Sequence, residues 1–472
     1  MNVRNNENET GFASAVLERM ETEHDASAQL HDLKPFAQPS LEFYEDAAAD
    51  FPEEILESPR AGVANMPASE ALKRLKTGET LKNVRIERLR LTGEFTVPIR
   101  MERVHLVQPS FDRATFLADV EMIHGTIERP RFNGKTTFAK AWNLKSSTLL
   151  SAIIRDVTVA GPLKCDYLRT RGKFLVANST LSGQARFWDA SFEGWVEFKD
   201  VTFADQADFR SLSADEGFVL TECRFARDCL FRGASISKKW EATRTRFDGL
   251  LDFSKAKLND FVYLETIEQG PGQQFAFHNT VAERLSVRPD QLNNRLASER
   301  AGNFTQAMAE FGLLKRVFEG LHRYEEEDWA FYKFKINQRR CRSHTWRKPW
   351  TELSRFADWL LLDRGCAYGT SPMRAVASAL VLILAFALLY AVFINSLHVE
   401  RVPFGSIEDK TSLANRVMIG LTTSVASFIS GYGDLRDVAR GGFMNLALIA
   451  ESLLGTLLWG LFIVAFSRKV IR

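Results

Sequence analysis

The chain has 472 residues, a formal net charge of +2, 45% hydrophobic residues and 25% charged residues. That length accommodates about three domains, and the near-neutral balance supplies neither the broad basic face of a nucleic-acid binder nor the acidic surface of a DNA mimic. The five cysteines (Cys165, Cys223, Cys229, Cys341, Cys366) form no CxxC pair, so no disulfide framework or zinc site is legible, and free thiols in a reducing compartment are expected.

Residues 1–75 read as an acidic tail. The first 60 carry 14 Asp/Glu against 4 Lys/Arg, a local net of −10. Such a composition cannot bury enough apolar surface to order itself, apart from short helices near residues 12–23 and 69–76. No basic-then-apolar signal peptide opens the chain, so the part preceding the first apolar span is expected to stay in the cytosol.

From 81 to 267 the pattern changes, most clearly from Phe187. Positions 187, 192, 198, 203, 209, 214, 220, 225, 231, 236, 242, 247, 253 and 258 are Phe, Leu, Ile or Ala, with spacings alternating between five and six. Neither a helix nor a simple strand alternation produces this period. Two residues earlier the side chain is usually small, as at Ala185, Ala190, Val196, Ala207, Cys223 and Cys229. A fixed internal period marks a solenoid. A 22-residue coil stacks Phe187, Phe209, Phe231 and Phe253 in one column and Phe203, Phe225 and Phe247 in another, at the interstrand spacing of about 4.8 Å. Upstream, Ile154, Val159, Cys165, Val176 and Leu181 roughly keep the register, and Phe111, Phe116, Phe132 and Phe138 stand as fragments. The units ARF-WDASF-EGWVEF-KDVTF-ADQADF resemble those of pentapeptide-repeat proteins, and the resemblance implies a right-handed quadrilateral β-helix. The six-residue steps depart from that family's strict spacing.

Residues 290–345 return to a helical period, within a linker taken as 290–365. Phe304, Met308, Phe311, Leu314, Val317 and Phe318 share one helix face, and Trp329, Tyr332 and Ile336 continue a second helix. Packing explains such stripes better than ligand binding, and a helical hairpin linker is expected. Arg339, Arg340, Arg342, Arg347 and Lys348, flanked by Trp346, Trp350 and Trp359, read as a membrane-surface segment.

Residues 375–394 (AVASALVLILAFALLYAVFI) carry no charge over 20 positions, a length of about 30 Å as a helix, enough to cross a bilayer core. Residues 443–466 form a second apolar stretch with one acid, Glu451, and end in Arg468-Lys469. Basic residues precede the first span and follow the second, so both termini are expected in the cytosol. Between the spans, residues 413–428 (LANRVMIGLTTSVASF) read as a short helix too polar to span, running into Ile429-Ser430-Gly431-Tyr432-Gly433-Asp434. Glycines permit the backbone angles that aim successive carbonyls one way. Carbonyl rings replace the water of a dehydrated cation, and irregular backbone at membrane depth is tolerated where it lines water or protein.

Together, residues 372–472 resemble the two-span pore module of potassium channels, whose filter reads Thr-Val-Gly-Tyr-Gly followed by Asp. Gly431, Tyr432, Gly433 and Asp434 match. Ile429 and Ser430 stand where the family has Thr and Val, which removes the hydroxyl that supplies the innermost ion ligand. The approach AYGTSPMRAV and the tail GTLLWGLFIVAFSRK also resemble this module as it occurs joined to pentapeptide repeats in bacteria. One pore loop per chain implies four chains around a filter.

The resemblance therefore implies a tetrameric potassium-type cation channel in the cell (inner or plasma) membrane. Its filter is 429–434, and its permeant species is a monovalent cation, with no other cofactor or metal. Glu451 is read either as a functional intramembrane acid or as a hydrogen-bonded support behind the filter. Gly455 and Gly460 are read either as a gate hinge or as close-packing points. Thr422, Thr423 and Ser424 are expected to cap or pack their helix. No Ser/His/Asp, HExxH or P-loop pattern is present, so an enzyme is not expected. The expected partners are membrane lipid, further copies of the chain and a cytosolic protein or ligand on the solenoid, without nucleic acid. The competing reading is a membrane-anchored pentapeptide-repeat scaffold with a degenerate, non-conducting loop.

Overall fold

The computed structural model describes residues 64–342, 354–356, 358–398, 412–430, 438–439 and 441–471. The tail through residue 63 with its expected helix at 12–23, the basic and aromatic positions 346–350, and filter positions 431–434 lie outside the described residues.

From Ala64 to Ser286 the chain winds into a parallel β-solenoid. One strand per turn joins a 10-stranded sheet, from Leu81–Lys82 to Gln274–Ala276, and the remaining paired strands join a 22-stranded sheet, giving about ten turns. This architecture is consistent with a pentapeptide-repeat fold. Ala185 pairs with Ala207, Ala207 with Cys229 and Cys229 with Leu251, so each of these turns takes 22 residues. The stacked rings follow that register. Phe187, Phe209, Phe231 and Phe253 lie 5.2, 4.9 and 5.5 Å apart between successive centroids. Phe203, Phe225 and Phe247 lie 4.5 and 4.9 Å apart. Each aromatic pair adds about 0.5–1.5 kcal/mol beyond the area it buries. The small residues at 185, 190, 207, 234 and 256 are fully buried beside them, and a larger side chain there would collide with the rings.

Backbone geometry explains the alternation of five and six. From Phe187 to Leu258, each five-residue step turns through a left-handed residue two places after the buried centre: Asp189, Asp200, Ser211, Glu222, Gly233, Arg244 and Lys255 all have positive φ. None of the six-residue steps between them contains one. A short step must reverse direction with fewer dihedrals, so one residue enters the left-handed region; the extra residue of a long step lets the chain round the corner in ordinary conformations. Only Gly233 adopts that region without steric cost. For the others, the ladder offsets it: the amides of Asp189, Ser211 and Glu222 donate to Arg210, Arg232 and Thr243 carbonyls on the next turn at 3.0, 3.0 and 2.9 Å.

The coil extends on both sides of the clearest repeats. Leu81, Met101, Met122, Leu144 and Cys165 continue the Phe187 column toward the N-terminus. Phe95, Phe116 and Phe138 stack at 5.1 and 4.8 Å, and Phe111 stacks on Phe132 at 4.7 Å. Beyond Ile267, the strands Gln274–Ala276 and Val281–Ser286 add a further turn. Helix α1 (Ala68–Lys76) closes the first end with Ala71 and Leu75 fully buried.

The other end is closed by a helical hairpin, α2 (Phe304–Gly320) and α3 (Tyr324–Cys341). Asn303 caps α2 by accepting from the Gln306 amide at 3.3 Å. Ala307, Phe311, Leu314 and Phe318 are fully buried, and all but Ala307 join the solenoid's own core. Glu310 of α2 accepts the Phe277 amide at 3.2 Å and also binds Ser298. Burial holds its carboxyl above the usual carboxylate range, opposed by these hydrogen bonds. Cys223 occupies a small inner position, and burial pushes its thiol up to about 12; the Cys165 and Cys229 thiols rise for the same reason. They act as packing groups.

Among the described residues, three long α-helices follow: α4 (Pro372–Val392), α5 (Leu413–Ser430) and α6 (Gly442–Val470). Pro372 starts α4, where its missing N–H costs nothing. With 21 and 29 residues, α4 and α6 are long and apolar enough to cross a membrane.

Candidate functional site

The last hundred residues bring α5 against both apolar helices. Two close approaches set the packing. A Cβ on Gly420 of α5 would sit 2.3 Å from the Ala387 carbonyl oxygen of α4, and one on Gly455 of α6 would sit 3.0 Å from the Phe428 ring and 3.1 Å from its carbonyl oxygen. Only glycine admits backbone contact this close. Gly455 is thus a packing point under the end of α5. A Cβ on Gly460 would meet nothing within 4 Å.

Polar groups tie the same three helices. Glu451 of α6 is fully buried. Tyr390 of α4 donates to its Oε2 at 2.7 Å, and Ser424 of α5 hydrogen-bonds its Oε1. The Ser424 hydroxyl also lies 2.9 Å from the Ile383 carbonyl oxygen of α4, and Ser427 donates to the Leu448 carbonyl of α6 at 3.4 Å. Thr422 and Thr423 bond back to carbonyls of their own helix, at 3.0 Å (Met418 and Ile419) and 2.7 Å (Ile419). Glu451 therefore sits as the common acceptor of a buried junction, a position from which an unpaired polar group would be costly.

Ile429 and Ser430 form the last turn of α5, and Ile429 is 70% exposed in the single chain. The four positions that follow, Gly431, Tyr432, Gly433 and Asp434, lie outside the described residues, so the structure places two of the six expected filter residues. Past them, Ala439 bridges antiparallel to Leu397, and the His398 amide donates to the Val438 carbonyl at 2.7 Å. The outer faces of α4 and α6 are apolar and uncovered: Leu384, Leu388, Leu453 and Ile463 are all more than half exposed.

A second polar junction was not expected from the sequence. Arg468, in the last turns of α6, lies 3.1 Å from Glu327 and 3.0 Å from Asp328 of α3, with its guanidinium 4.4 Å over the Phe331 ring. Arg339 pairs with Asp363 at 2.6 Å, Arg342 with Asp358 at 2.5 Å and Arg340 with Glu299 at 3.8 Å. These three arginines, which read as lipid-facing, are thus engaged within the chain. The run Glu325-Glu326-Glu327-Asp328 was the available signal, but a run of acids on a helix reads equally as a solvated face.

Comparison with known protein families, curated proteins and solved structures returns no match.

Proposed function

We propose that the chain is the subunit of a tetrameric cation channel for a monovalent cation, potassium by the likeness of its loop, with a cytosolic pentapeptide-repeat solenoid that regulates it. The observation that carries this reading is the placement of α5. Its close approaches run from Ala391 and Ala387, in the last turns of α4, to Ile383 near that helix's midpoint, and Phe428 meets Gly455 near the midpoint of α6. That supports a re-entrant helix whose C-terminal end stops at mid-membrane depth, directly before Gly431-Tyr432-Gly433-Asp434. The negative end of the helix dipole favours a cation there, backbone carbonyls from Ser430–Gly433 supply its ligands, and Asp434 charges the outer mouth. Glu451 holds α5 in place rather than meeting the ion. The uncovered apolar faces of α4 and α6 suit lipid and neighbouring copies. The basic end of α6 supports an arrangement with both termini in the cytosol of a cell-membrane protein, and the four buried centres of one turn, Phe187, Phe192, Phe198 and Phe203, support a four-sided coil, right-handed by its likeness to pentapeptide repeats. No catalytic chemistry is assigned, and no cofactor beyond the permeant ion.

One observation favours the second reading, a membrane-tethered scaffold. Exposed Ile429 offers an alkyl group where the resembling filter has a threonine hydroxyl. Flux from liposomes under a potassium and then a sodium gradient separates the two. Potassium flux that vanishes in Gly433→Asp supports the selective pore. Equal potassium and sodium flux keeps the pore and attributes the lost selectivity to Ile429. Silence from a protein whose second span is forced open favours the scaffold.

A further inference from the structure

We infer that helix α3 is a releasable latch between the solenoid and the feet of both apolar helices, closed by Arg468 with Glu327 and Asp328. The inference rests on reading α6 as the inner helix of the pore. At its start, α3 is fastened to the solenoid: Arg323 pairs with Glu265 at 2.7 Å and with Glu326 at 2.9 Å. Still in its first turn, Glu327 is fully buried between Arg468 at 3.1 Å and Lys315 of α2 at 3.4 Å. One turn on, Tyr332 donates to Asp363 at 2.8 Å, and Arg374, in the first turn of α4, lies 5.2 Å over the Tyr332 ring. Arg339 closes on Asp363 from two turns further along at 2.6 Å. Asp363 belongs to a π-helical turn, Asp358–Arg364, a conformation common where an element carries a functional constraint. A continuous run of packed and paired groups thus joins the solenoid at Glu265 to the end of α6.

The chemistry of the junction separates a latch from a plain joint. Apolar residues of similar volume generally hold a buried interface as well as an ion pair does or better. They cannot be parted without exposing apolar surface to water. Arginine and carboxylates can, because each is well solvated once separated. A charged junction therefore has two states of comparable free energy, engaged and solvated, and such a two-state element lets one part of a protein bias another. In the engaged state the foot of α6 is held to the solenoid cap. A load on the solenoid that draws α3 away frees it.

The test uses the full chain in vesicles with potassium as the permeant probe, comparing wild type, Arg468→Gln, Asp328→Asn and the exchanged pair Asp328→Arg with Arg468→Asp, made together with Glu327→Gln so that no carboxylate faces the introduced aspartate. Two readouts are taken: hydrogen exchange across residues 324–341 and 460–470, and potassium flux. Arg468→Gln is expected to speed exchange in both segments together and to raise flux on the order of tenfold, within the range a coupling residue commands. The exchanged pair is expected to return both toward wild type. Faster exchange in the end of α6 with α3 unchanged overturns the latch. Unchanged flux in a conducting protein overturns its role at the gate. Absence of flux from every protein, wild type included, with exchange still coupled rejects the pore reading and retains the tie. Exchange across residues 187–258 checks folding, and Arg468→Lys, which keeps the charge and loses the fork, replaces any variant that fails there.

Discussion

Asp189 shows how much of the coil rests on single backbone conformations. Its side chain is exposed, yet its φ is +54°, so its contribution is conformational. Asp189→Val puts a β-branched residue in the left-handed region and is expected to cost about 1–2 kcal/mol, read as a lowered denaturation midpoint; a neutral result would mean that the corner relaxes to another geometry. Glu451 poses the opposite case, where everything lies in the side chain. Glutamine can accept from Tyr390 and donate to Ser424, leaving that hydroxyl for the Ile383 carbonyl, so Glu451→Gln is expected to keep the wild-type melting temperature. Glu451→Leu takes the acceptor from the buried Tyr390 hydroxyl, while Ser424 keeps the Ile383 carbonyl, and should cost about 1–3 kcal/mol. Equal loss in both variants would show that the carboxylate does something an amide cannot. The identity of the buried centres was legible from residue type and spacing. The left-handed corners were not, because aspartate, serine, glutamate, arginine and lysine carry no common mark of that conformation.

Helix α5 is positioned by side chains that are missing at its contacts, one on itself and one on α6. Gly420 lets it reach the backbone of α4, and Gly455 leaves room for Phe428. Gly455→Val forces two methyl groups toward that ring and should destabilise by about 1–3 kcal/mol, with loss of flux because the end of α5 shifts. Gly460→Ala meets open space and is expected to melt and conduct like wild type. If the Gly460→Ala protein loses flux while keeping its stability, the hinge role returns to that position. The two glycines are indistinguishable along the sequence and differ only in which surface of α6 each faces. Helix α3 makes a similar point. Its aromatic stripe was readable, but the side chains it buries include the acids Glu327 and Asp328, whose burial only Arg468 and Lys315 of neighbouring helices explain.

Joined as a chain, these elements link a solenoid of about ten turns to two membrane-length helices through a charged junction. If four copies share each filter, one Gly433→Asp subunit disables the whole assembly. Mixing it equally with wild type should then leave roughly one-sixteenth of the flux, the fourth power of one-half, as four-fold closure requires; a fall to half would mean that each chain conducts alone. The solenoid, the apolar helices and the short helix between them were all legible in the amino-acid sequence, because each rests on a local period that repeats within a few residues. Early turns were less so: their length drifts from the 20 residues between Leu81 and Met101 to the 22 between Ala185 and Ala207, which blurs any fixed period while leaving the stacked columns intact. Contacts between distant segments needed the folded chain. Tyr390 finds Glu451 across 61 residues, and Arg468 finds Glu327 across 141. A charge announces that it needs a partner, but which of many is chosen depends on how the hairpin caps the solenoid and where the last helix ends, and that is decided by packing rather than by any pattern along the chain.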